Sequence, residues 1–227
     1  MLEGRCVVVT GASGNLGSVV CSRLLRAGAS VFALVRRADD RVPDGATAHA
    51  AELTDEAAVE AAYGAAEKRL GAVWGAVHTA GAFMPGRVAA TSVADFEKMI
   101  DANWRSTFLC SRAALRRMEP RREGRIVNVA AYNPAILSGI GGSAVYSASK
   151  AAVVALTKAI AEEGAKTGIR ASCVAPATMR TPANAKAMPD ADQSKWVPLE
   201  DVAEAILYLV SPEAGAANGA VITFPAH

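Results

Sequence analysis

Short runs of apolar, often β-branched residues alternate with longer Ala-rich stretches along almost the whole chain. Near-continuous apolar runs separated by helical stretches are typical of a parallel sheet that is covered on both faces. The pattern therefore predicts a doubly wound α/β fold with a parallel sheet of seven strands. The predicted strands cover residues 6–10, 30–35, 46–51, 72–79, 125–130, 170–175 and 220–224. The predicted helices lie near residues 16–28, 55–70, 92–118, 144–167 and 199–211.

No break in composition, internal repeat or low-complexity linker divides the chain, so residues 1–227 are predicted to form one domain. The longest irregular segment covers about residues 177–198 and is rich in Pro, Ala, Asp and Met. A loop of that length inside a compact domain is more often functional than ornamental.

The charge balance is nearly neutral, with a formal net charge of +2. It therefore gives no reason to expect binding to nucleic acid or to a membrane surface. One basic cluster, residues 116–125, is interpreted as a solvated helix end and loop rather than as a binding patch.

The cysteine pattern argues against a metal site and against disulfides. Cys6, Cys21, Cys110 and Cys173 are widely spaced and show no C-x-x-C motif, which favours reduced, buried thiols. No signal peptide is recognised, and no apolar run approaches the roughly 20 residues that span a bilayer. We therefore expect a soluble, cytoplasmic protein.

The first predicted strand runs into a glycine-rich turn that opens a helix. Gly11, Gly14 and Gly17 follow the pattern G-x-x-G-x-x-G. Glycines at this place allow a tight turn and a close backbone approach, and the helix N-terminus that follows suits a pyrophosphate. Because the motif has the strand–turn–helix context that it needs, it predicts a dinucleotide site.

The end of the second strand indicates which dinucleotide is bound. An acid there would accept a hydrogen bond from a ribose 2'-hydroxyl, whereas an arginine pairs with a 2'-phosphate. The chain has Arg36 and Arg37 at this point. The sequence therefore predicts NADP(H) rather than NAD(H).

The segment Tyr146-Ser-Ala-Ser-Lys150 places a phenol and an amine one helical turn apart. An ammonium beside a phenol lowers the pKa of the phenol, which suits a proton donor or acceptor. On its own, however, such a pair would be an ordinary surface feature.

Several motifs occur together in the order typical of short-chain dehydrogenases/reductases, which the chain resembles over essentially its whole length. They are TGASGNLG, HTAG at 78–81, Asn103 within DANWRSTF, GRIVNVAA, YSASK and APATMRT at 175–181. The resemblance implies a single Rossmann-type domain. It also implies that Tyr146 is the acid/base, that Lys150 holds the nicotinamide ribose and tunes Tyr146, and that Asn103 supports a proton relay.

The same resemblance implies a set of cofactor contacts in addition to Tyr146 and Lys150. These are Gly11, Ser13, Gly14, Asn15, Leu16, Gly17, Arg36, Arg37, Glu52, Leu53, Thr79, Ala80, Gly81, Val129, Pro176, Ala177, Met179 and Thr181. Thr79 stands where the family has the second Asn of N-N-A-G, and Ala177 follows Pro176 where the family has Pro-Gly.

The chain departs from the family at the catalytic serine. Its place falls at Ala131 when counted from the strand, and at Asn133 when counted back from Tyr146. Ser138 and Ser143 lie in the loop between, but neither is at the expected spacing. Whether Ser138 or Asn133 replaces the missing serine is left open, and Ala131, Asn133 and Ser138 are all predicted to line the substrate site.

A second departure is the glycine spacing, with Asn15 where a glycine is usual. In both departures the chain resembles the quinonoid dihydropteridine reductases. It also resembles them in the segment TPANAKAMPDADQSKWVPLED at 181–201. This resemblance adds Trp196 to the predicted substrate contacts. Those reductases also lack the serine but generally prefer NADH, whereas this chain has Arg36.

Three functions remain open. The leading hypothesis is an NADPH-dependent reductase of a small conjugated substrate such as a quinonoid dihydropterin. The second is a carbonyl reductase or alcohol dehydrogenase, for instance one acting on a 3-oxoacyl thioester. The third is a non-catalytic NADP(H)-sensing protein. Long apolar helices near 92–118 and 144–167 predict a homodimer or homotetramer.

Overall fold

The computed structural model of the protein describes residues 2–226 and contains one seven-stranded sheet. All neighbouring strands are parallel, in the order β3-β2-β1-β4-β5-β6-β7. The seven predicted strands are confirmed, with small shifts at their ends. The strands are β1 Cys6–Thr10, β2 Ser30–Val35, β3 Thr47–Ala50, β4 Val73–His78, β5 Gly124–Val129, β6 Ile169–Pro176 and β7 Val221–Phe224.

Helices cover both faces of the sheet, as predicted. They are α1 Asn15–Arg26, α2 Glu56–Leu70, α3 Val93–Ile100, α4 Ser106–Met118, α5 Tyr132–Ile136, α6 Ala144–Gly164, α7 Pro182–Ala187 and α8 Leu199–Val210. Side chains alternate across a strand, so Val7 and Val9 of β1 enter one core and Cys6 and Val8 enter the other. The first core also contains residues of α1 and α8, and the second contains residues of α2, α4 and α6.

The strand order reverses between β1 and β4, which lie side by side. The chain builds β2 and β3 on one side of β1 and then crosses back to form β4 on the other. In open parallel sheets, such a reversal leaves a crevice at the carboxyl ends of the two strands, and ligands bind there. The fold therefore places the loops after Thr10 and His78 at the candidate site.

Three helix predictions need correction. The helix predicted over 92–118 is interrupted by a π-helical turn, Asp101–Arg105, and the helix predicted to end at residue 167 ends at Gly164. The segment predicted to be irregular over 177–198 contains α7. Thr181 accepts a hydrogen bond from the Asn184 amide, and Pro182 occupies the first helical turn, so both signals of a helix start are present.

Helix α6 has 21 residues and, by length and composition alone, could cross a membrane. This contradicts the expectation that no segment of the chain meets that test. In the structure the helix packs against β5 and β6, and its Val153 and Ile160 are buried. It also carries both Tyr146 and Lys150.

The basic run at 116–125 is largely paired within the protein rather than solvated. Arg116 and Arg117 of α4 each lie 2.9 Å from a carboxylate oxygen of Glu60 on α2. Arg125 is buried, donates to the Ser211 carbonyl at 3.3 Å and stacks over the Trp74 ring. These arginines therefore join elements of the fold.

Candidate active site

The glycine turn after β1 is shaped so that only glycine fits at two of its positions. Gly11 has φ of +63°, and a Cβ there would lie 2.9 Å from the backbone of Ala80. A Cβ on Gly17 would lie 2.1 Å from the Gly11 carbonyl oxygen. Gly14 caps the N-terminus of α1, whose first turn holds no acidic residue. The turn therefore offers free amides and a positive helix end, as a pyrophosphate site requires.

Thr79 ties the end of β4 to this turn. Its hydroxyl donates to the Thr10 carbonyl at 2.7 Å, and the Ala80 amide donates to the Thr10 hydroxyl at 3.2 Å. A short hydroxyl side chain at Thr79 therefore holds the glycine turn against β4.

A cleft of about 480 Å³ opens beside the glycine turn. Ten of the predicted cofactor residues line it: Gly11, Ser13, Gly14, Arg36, Arg37, Glu52, Leu53, Thr79, Ala80 and Gly81. Asn15, Leu16 and Gly17 form the first turn of α1 beside the cleft. Val129, Pro176, Ala177, Met179 and Thr181 lie further along the carboxyl edge of the sheet, at and beyond the ends of β5 and β6. A cleft with a glycine turn and a helix end at one side fits a dinucleotide.

The end of the cleft beyond β2 is charged. Arg36 and Arg37 are both exposed there. Arg37 is held by Asp40: its Nε and Nη2 lie 3.2 and 3.0 Å from Asp40 Oδ1. Glu52 accepts from the amide and hydroxyl of Thr54, and these hydrogen bonds, together with the nearby Arg36, lower its pKa. Sequence reasoning missed Asp40, because its position depends on how the loop after β2 returns to the cleft.

The reacting end is formed by α6, which places Tyr146 and Lys150 one turn apart. The ammonium of Lys150 is buried and donates to the Val129 carbonyl at 2.8 Å. Burial lowers the pKa of Lys150 to about 8, and burial raises the pKa of Tyr146 to about 12. The expectation that Lys150 lowers the pKa of Tyr146 is therefore wrong for this arrangement, in which loss of solvent around the phenol dominates.

Asn103 joins the loop after β4 to helix α6. Its side chain exchanges hydrogen bonds with the amide and carbonyl of Ala82 at 2.9 and 3.0 Å. It also donates to the Ser149 hydroxyl, which in turn donates to the Tyr146 carbonyl. A Cβ on Gly81 would lie 2.7 Å from Asn103 Oδ1 and 3.1 Å from Lys150 Nζ, so this glycine lets the three elements meet.

The place of the usual serine falls at Ala131 or at Asn133, and neither residue carries a hydroxyl group. Ala131, two residues after the end of β5, is buried, and α5 begins at the next residue. Ser138 and Asn133 are exposed, and Asn133 donates to the Gly139 carbonyl at 3.0 Å. The Ser143 hydroxyl donates to the Ile140 carbonyl and pairs with Ser147. Within residues 2–226, no hydrogen bond joins the side chain of Asn133, Ser138 or Ser143 to Tyr146, and the methyl group of Ala131 can form none.

An exposed aromatic ring lies against Tyr146. The Phe83 ring meets the Tyr146 ring edge to face, with centroids 4.8 Å apart, and is 64% exposed. Trp196, predicted as a substrate contact, is buried beside Val197, whose amide pairs with the Thr178 carbonyl. Sequence reasoning missed Phe83, since no spacing rule connects it to Tyr146.

A buried polar chain lies behind the site and was also missed. His78, at the end of β4, contacts Asn128 at 2.7 Å and the Tyr63 hydroxyl at 3.1 Å. Asn128 donates to Thr157 of α6 at 2.9 Å. Burial lowers the pKa of His78 to about 4, so the ring is neutral at pH 7. These contacts link α2, β4, β5 and α6 directly behind Thr79 and Val129.

Together, the doubly wound sheet, the glycine turn and the Tyr/Lys pair define a dinucleotide-dependent oxidoreductase. The profile of the short chain dehydrogenase family matches residues 5–192. The chain belongs to this family, and it is an NAD(P)-dependent oxidoreductase.

Characterised relatives cover nearly the whole chain. The acetoacetyl-CoA reductase of Acinetobacter sp. is 31% identical over 98% of this chain and 97% of its own length. The 3-oxoacyl-(acyl-carrier-protein) reductase of Vibrio cholerae is 30% identical over 96% of this chain and 94% of its own. The crystal structure of levodione reductase, at 24% identity, superposes with a TM-score of 0.89 over 99% of this chain and 97% of that one, and thus shares the fold.

Proposed function

We propose that the protein is an NADPH-dependent reductase of a small conjugated substrate of the quinonoid dihydropterin type. The observation that carries the proposal is the combination of a Tyr146/Lys150 pair on α6 with the absence of a hydroxyl group at either candidate serine position, where Ala131 is buried and Asn133 is exposed. The exposed ring of Phe83 beside Tyr146 adds a flat apolar surface on which a planar substrate can stack.

The residues divide into two groups by task. The glycine turn, Thr79 and Arg36 would hold the nucleotide half of the cofactor, and Lys150 would hold the nicotinamide ribose. When bound, the cofactor supplies the hydride. Tyr146 supplies the proton: its O–H bond breaks as the substrate gains hydrogen. A pKa raised to about 12 keeps the phenol protonated at neutral pH, as a proton donor requires.

The missing serine favours a conjugated acceptor. In the reduction of a simple ketone, charge develops on one oxygen, and a second hydroxyl donor there contributes about 10²–10³ in rate. A conjugated ring spreads that charge over several atoms, so the second donor matters less. The resemblance of residues 181–201 to the corresponding segment of the dihydropteridine reductases supports such a substrate.

A second candidate is a reductase of 3-oxoacyl thioesters. It is favoured by the two relatives named for such activities and by Asn103, which belongs to the wider family. The side chain of Ser138 is exposed, so its hydroxyl group is accessible to a substrate.

The substrate assay compares NADPH oxidation with quinonoid dihydropterin, ketones, quinones and acetoacetyl-CoA. Tyr146→Phe should lower kcat at least a hundredfold and leave the Kd for NADPH within about twofold, because the phenol acts in the transition state. Tyr208→Phe, an exposed tyrosine on α8, is the matched control. Ser138→Ala should cost about tenfold or less. A Ser138→Ala loss as large as that of Tyr146→Phe on acetoacetyl-CoA would replace the dihydropterin proposal with the second candidate.

The cofactor preference rests on Arg36 and Arg37. We expect kcat/KM to be higher with NADPH than with NADH, and Arg36→Asp to shift the ratio towards NADH, because a carboxylate repels a 2'-phosphate. Equal values for the two cofactors, or a preference for NADH in the unaltered protein, would refute the NADP(H) assignment.

The proposal includes a homodimer or homotetramer in the cytoplasm. Trp104 and Phe108 are exposed on the π-helical turn and on α4, where a second copy would cover them. The four cysteines are buried and unpaired, which agrees with a reducing compartment.

A further inference from the structure

The carboxylate of Asp40 lies at the end of the cleft where the two arginines were expected to receive a phosphate. Its side chain is only 13% exposed, although Arg37 is 72% exposed. Oδ1 accepts from Nε and Nη2 of Arg37, and Oδ2 accepts from the Arg37 amide at 3.2 Å and from the Ser13 hydroxyl at 3.4 Å. Asp40 therefore contacts both the glycine turn and the second arginine.

These contacts use the donors that a 2'-phosphate would need. An arginine binds a phosphate best with two parallel N–H groups, and on Arg37 the Nε/Nη2 edge is turned to Asp40. The hydrogen bonds from Arg37 lower the pKa of Asp40, so it is negatively charged at neutral pH. Asp39 adds a second carboxylate 3.6 Å from Arg37 Nε.

Arg36 is placed differently. It lines the same cleft and is exposed. Its positive charge helps to lower the pKa of Glu52. The two arginines are therefore not equivalent towards a phosphate, although they are adjacent in the sequence.

We propose that Asp40 limits the discrimination of this cleft for 2'-phosphorylated nucleotides, by competing with the phosphate for Arg37 and Ser13. The inference rests on the proposed NADP(H) site. Arg36 then supplies most of the preference, and Arg37 contributes only when the Asp40 contact opens. The Arg37 side chain of this pair is 72% exposed, so water competes for its N–H groups and the contact is weak enough to open during binding.

The experiment measures nucleotide binding to the full chain by calorimetry, with adenosine 2',5'-bisphosphate and adenosine 5'-monophosphate as probes. Asp40→Asn keeps the shape of the side chain and removes its charge. We expect it to tighten the bisphosphate about fivefold, the ratio given by removing one unit charge at about 4 Å in water. The monophosphate should change by less than about twofold, and the gain should shrink at high salt.

Asp44→Asn is the control. It makes the same change in net charge on an exposed residue that does not line the cleft, and it should alter neither affinity. An unchanged or weakened bisphosphate affinity in Asp40→Asn would overturn the proposal, since Asp40 would then position Arg37 rather than compete for it. A loss confined to the monophosphate would also overturn it and make Asp40 a ribose ligand.

The wild-type measurement tests the proposed function separately. If the unaltered chain binds the monophosphate more tightly, the NADP(H) preference is wrong. A fivefold gain for the bisphosphate in Asp40→Asn would still establish the competition. If the unaltered chain binds neither probe, the dinucleotide assignment of the cleft and the role of Asp40 are both overturned.

Discussion

The ammonium group of Lys150 is almost completely enclosed by the protein, with the Val129 carbonyl as its hydrogen-bond acceptor. Burial lowers its pKa from 10.5 to about 8, so holding the charge at pH 7 costs on the order of 3 kcal/mol of folding stability. The hydrogen bond to Val129 offsets only part of that cost.

Lys150→Met should therefore stabilise the protein while removing activity. We expect the free energy of unfolding to rise by about 2 kcal/mol at pH 7, because the variant buries no charge but leaves one carbonyl unpaired. Urea unfolding of the cofactor-free protein measures the change. Lys158→Met, on an exposed position of the same helix, is the control and should change stability by less than about 0.5 kcal/mol. A loss of stability in Lys150→Met would contradict the assigned cost.

The same shift predicts a pH dependence. The folded pKa of Lys150 lies below its unfolded value, so the unfolded chain binds more protons between about pH 8 and 10.5 and the contribution of Lys150 to stability rises with pH. Buried thiols such as Cys6 have raised pKa values and act in the opposite direction, so the comparison must be with Lys150→Met. The stability advantage of the variant should shrink by about 1 kcal/mol from pH 7 to pH 9. A constant advantage would show that Lys150 does not titrate in this range.

At the scale of helices and strands, the π-helical turn Asp101–Arg105 has the clearest energetic role. Asn103 satisfies both backbone groups of Ala82 from this turn and is itself fully buried. Asn103→Ala should lower the free energy of unfolding by about 3 kcal/mol, because buried polar groups lose their partners. Asn133→Ala, which removes one exposed hydrogen bond to Gly139, should cost less than about 1 kcal/mol. Similar losses in both variants, measured by urea unfolding, would rule out this role.

Helices and strands whose hydrophobic pattern keeps one period along their whole length could be predicted from the sequence. Elements in which that pattern is interrupted could not. An apolar run such as Cys6–Thr10 predicts an inner strand because a strand buried on both faces is mostly apolar. The edge strands β3 and β7 are only partly buried, so this reason does not apply to them. The break at Asp101–Arg105 has no such signal, since it depends on Asn103 reaching a loop 21 residues earlier. Helix α7 could have been predicted from Thr181 and Pro182, but the surrounding turn residues concealed it.

The residues of the site likewise divide into those that could be predicted from the sequence and those that could not. Gly11 and Gly17 could be predicted because their role depends on local backbone shape. The contact between Asp40 and Ser13 joins residues 27 positions apart through a loop, and the Phe83–Tyr146 contact joins the loop after β4 to helix α6. Contacts of this kind follow from the folded arrangement and not from any spacing in the sequence.

At the scale of the whole molecule, exposed aromatic side chains concentrate on one pair of helices. Phe96, Trp104 and Phe108 lie on α3, the π-helical turn and α4, and each is 40–49% exposed. We expect a homodimer at micromolar concentration in light scattering, and a monomer for Phe108→Glu, because a buried carboxylate would oppose association. Tyr208→Glu, on the exposed face of α8, is the control and should leave the mass unchanged. A monomeric wild-type protein would refute this assembly.

The buried lysine also bears on whether the protein has kept a catalytic task. A descendant released from both catalysis and ribose binding would gain thermodynamic stability by any change that replaced Lys150 with an apolar residue. Substitutions would then tend to remove the amine, as they tend to remove any destabilising side chain that has no function. The chain nonetheless carries Lys150 together with Tyr146. Because the amine is also proposed to hold the nicotinamide ribose, a protein that only senses the nucleotide would need it too. The pair that Lys150 forms with Tyr146, whose proposed task is proton transfer, is what argues for turnover.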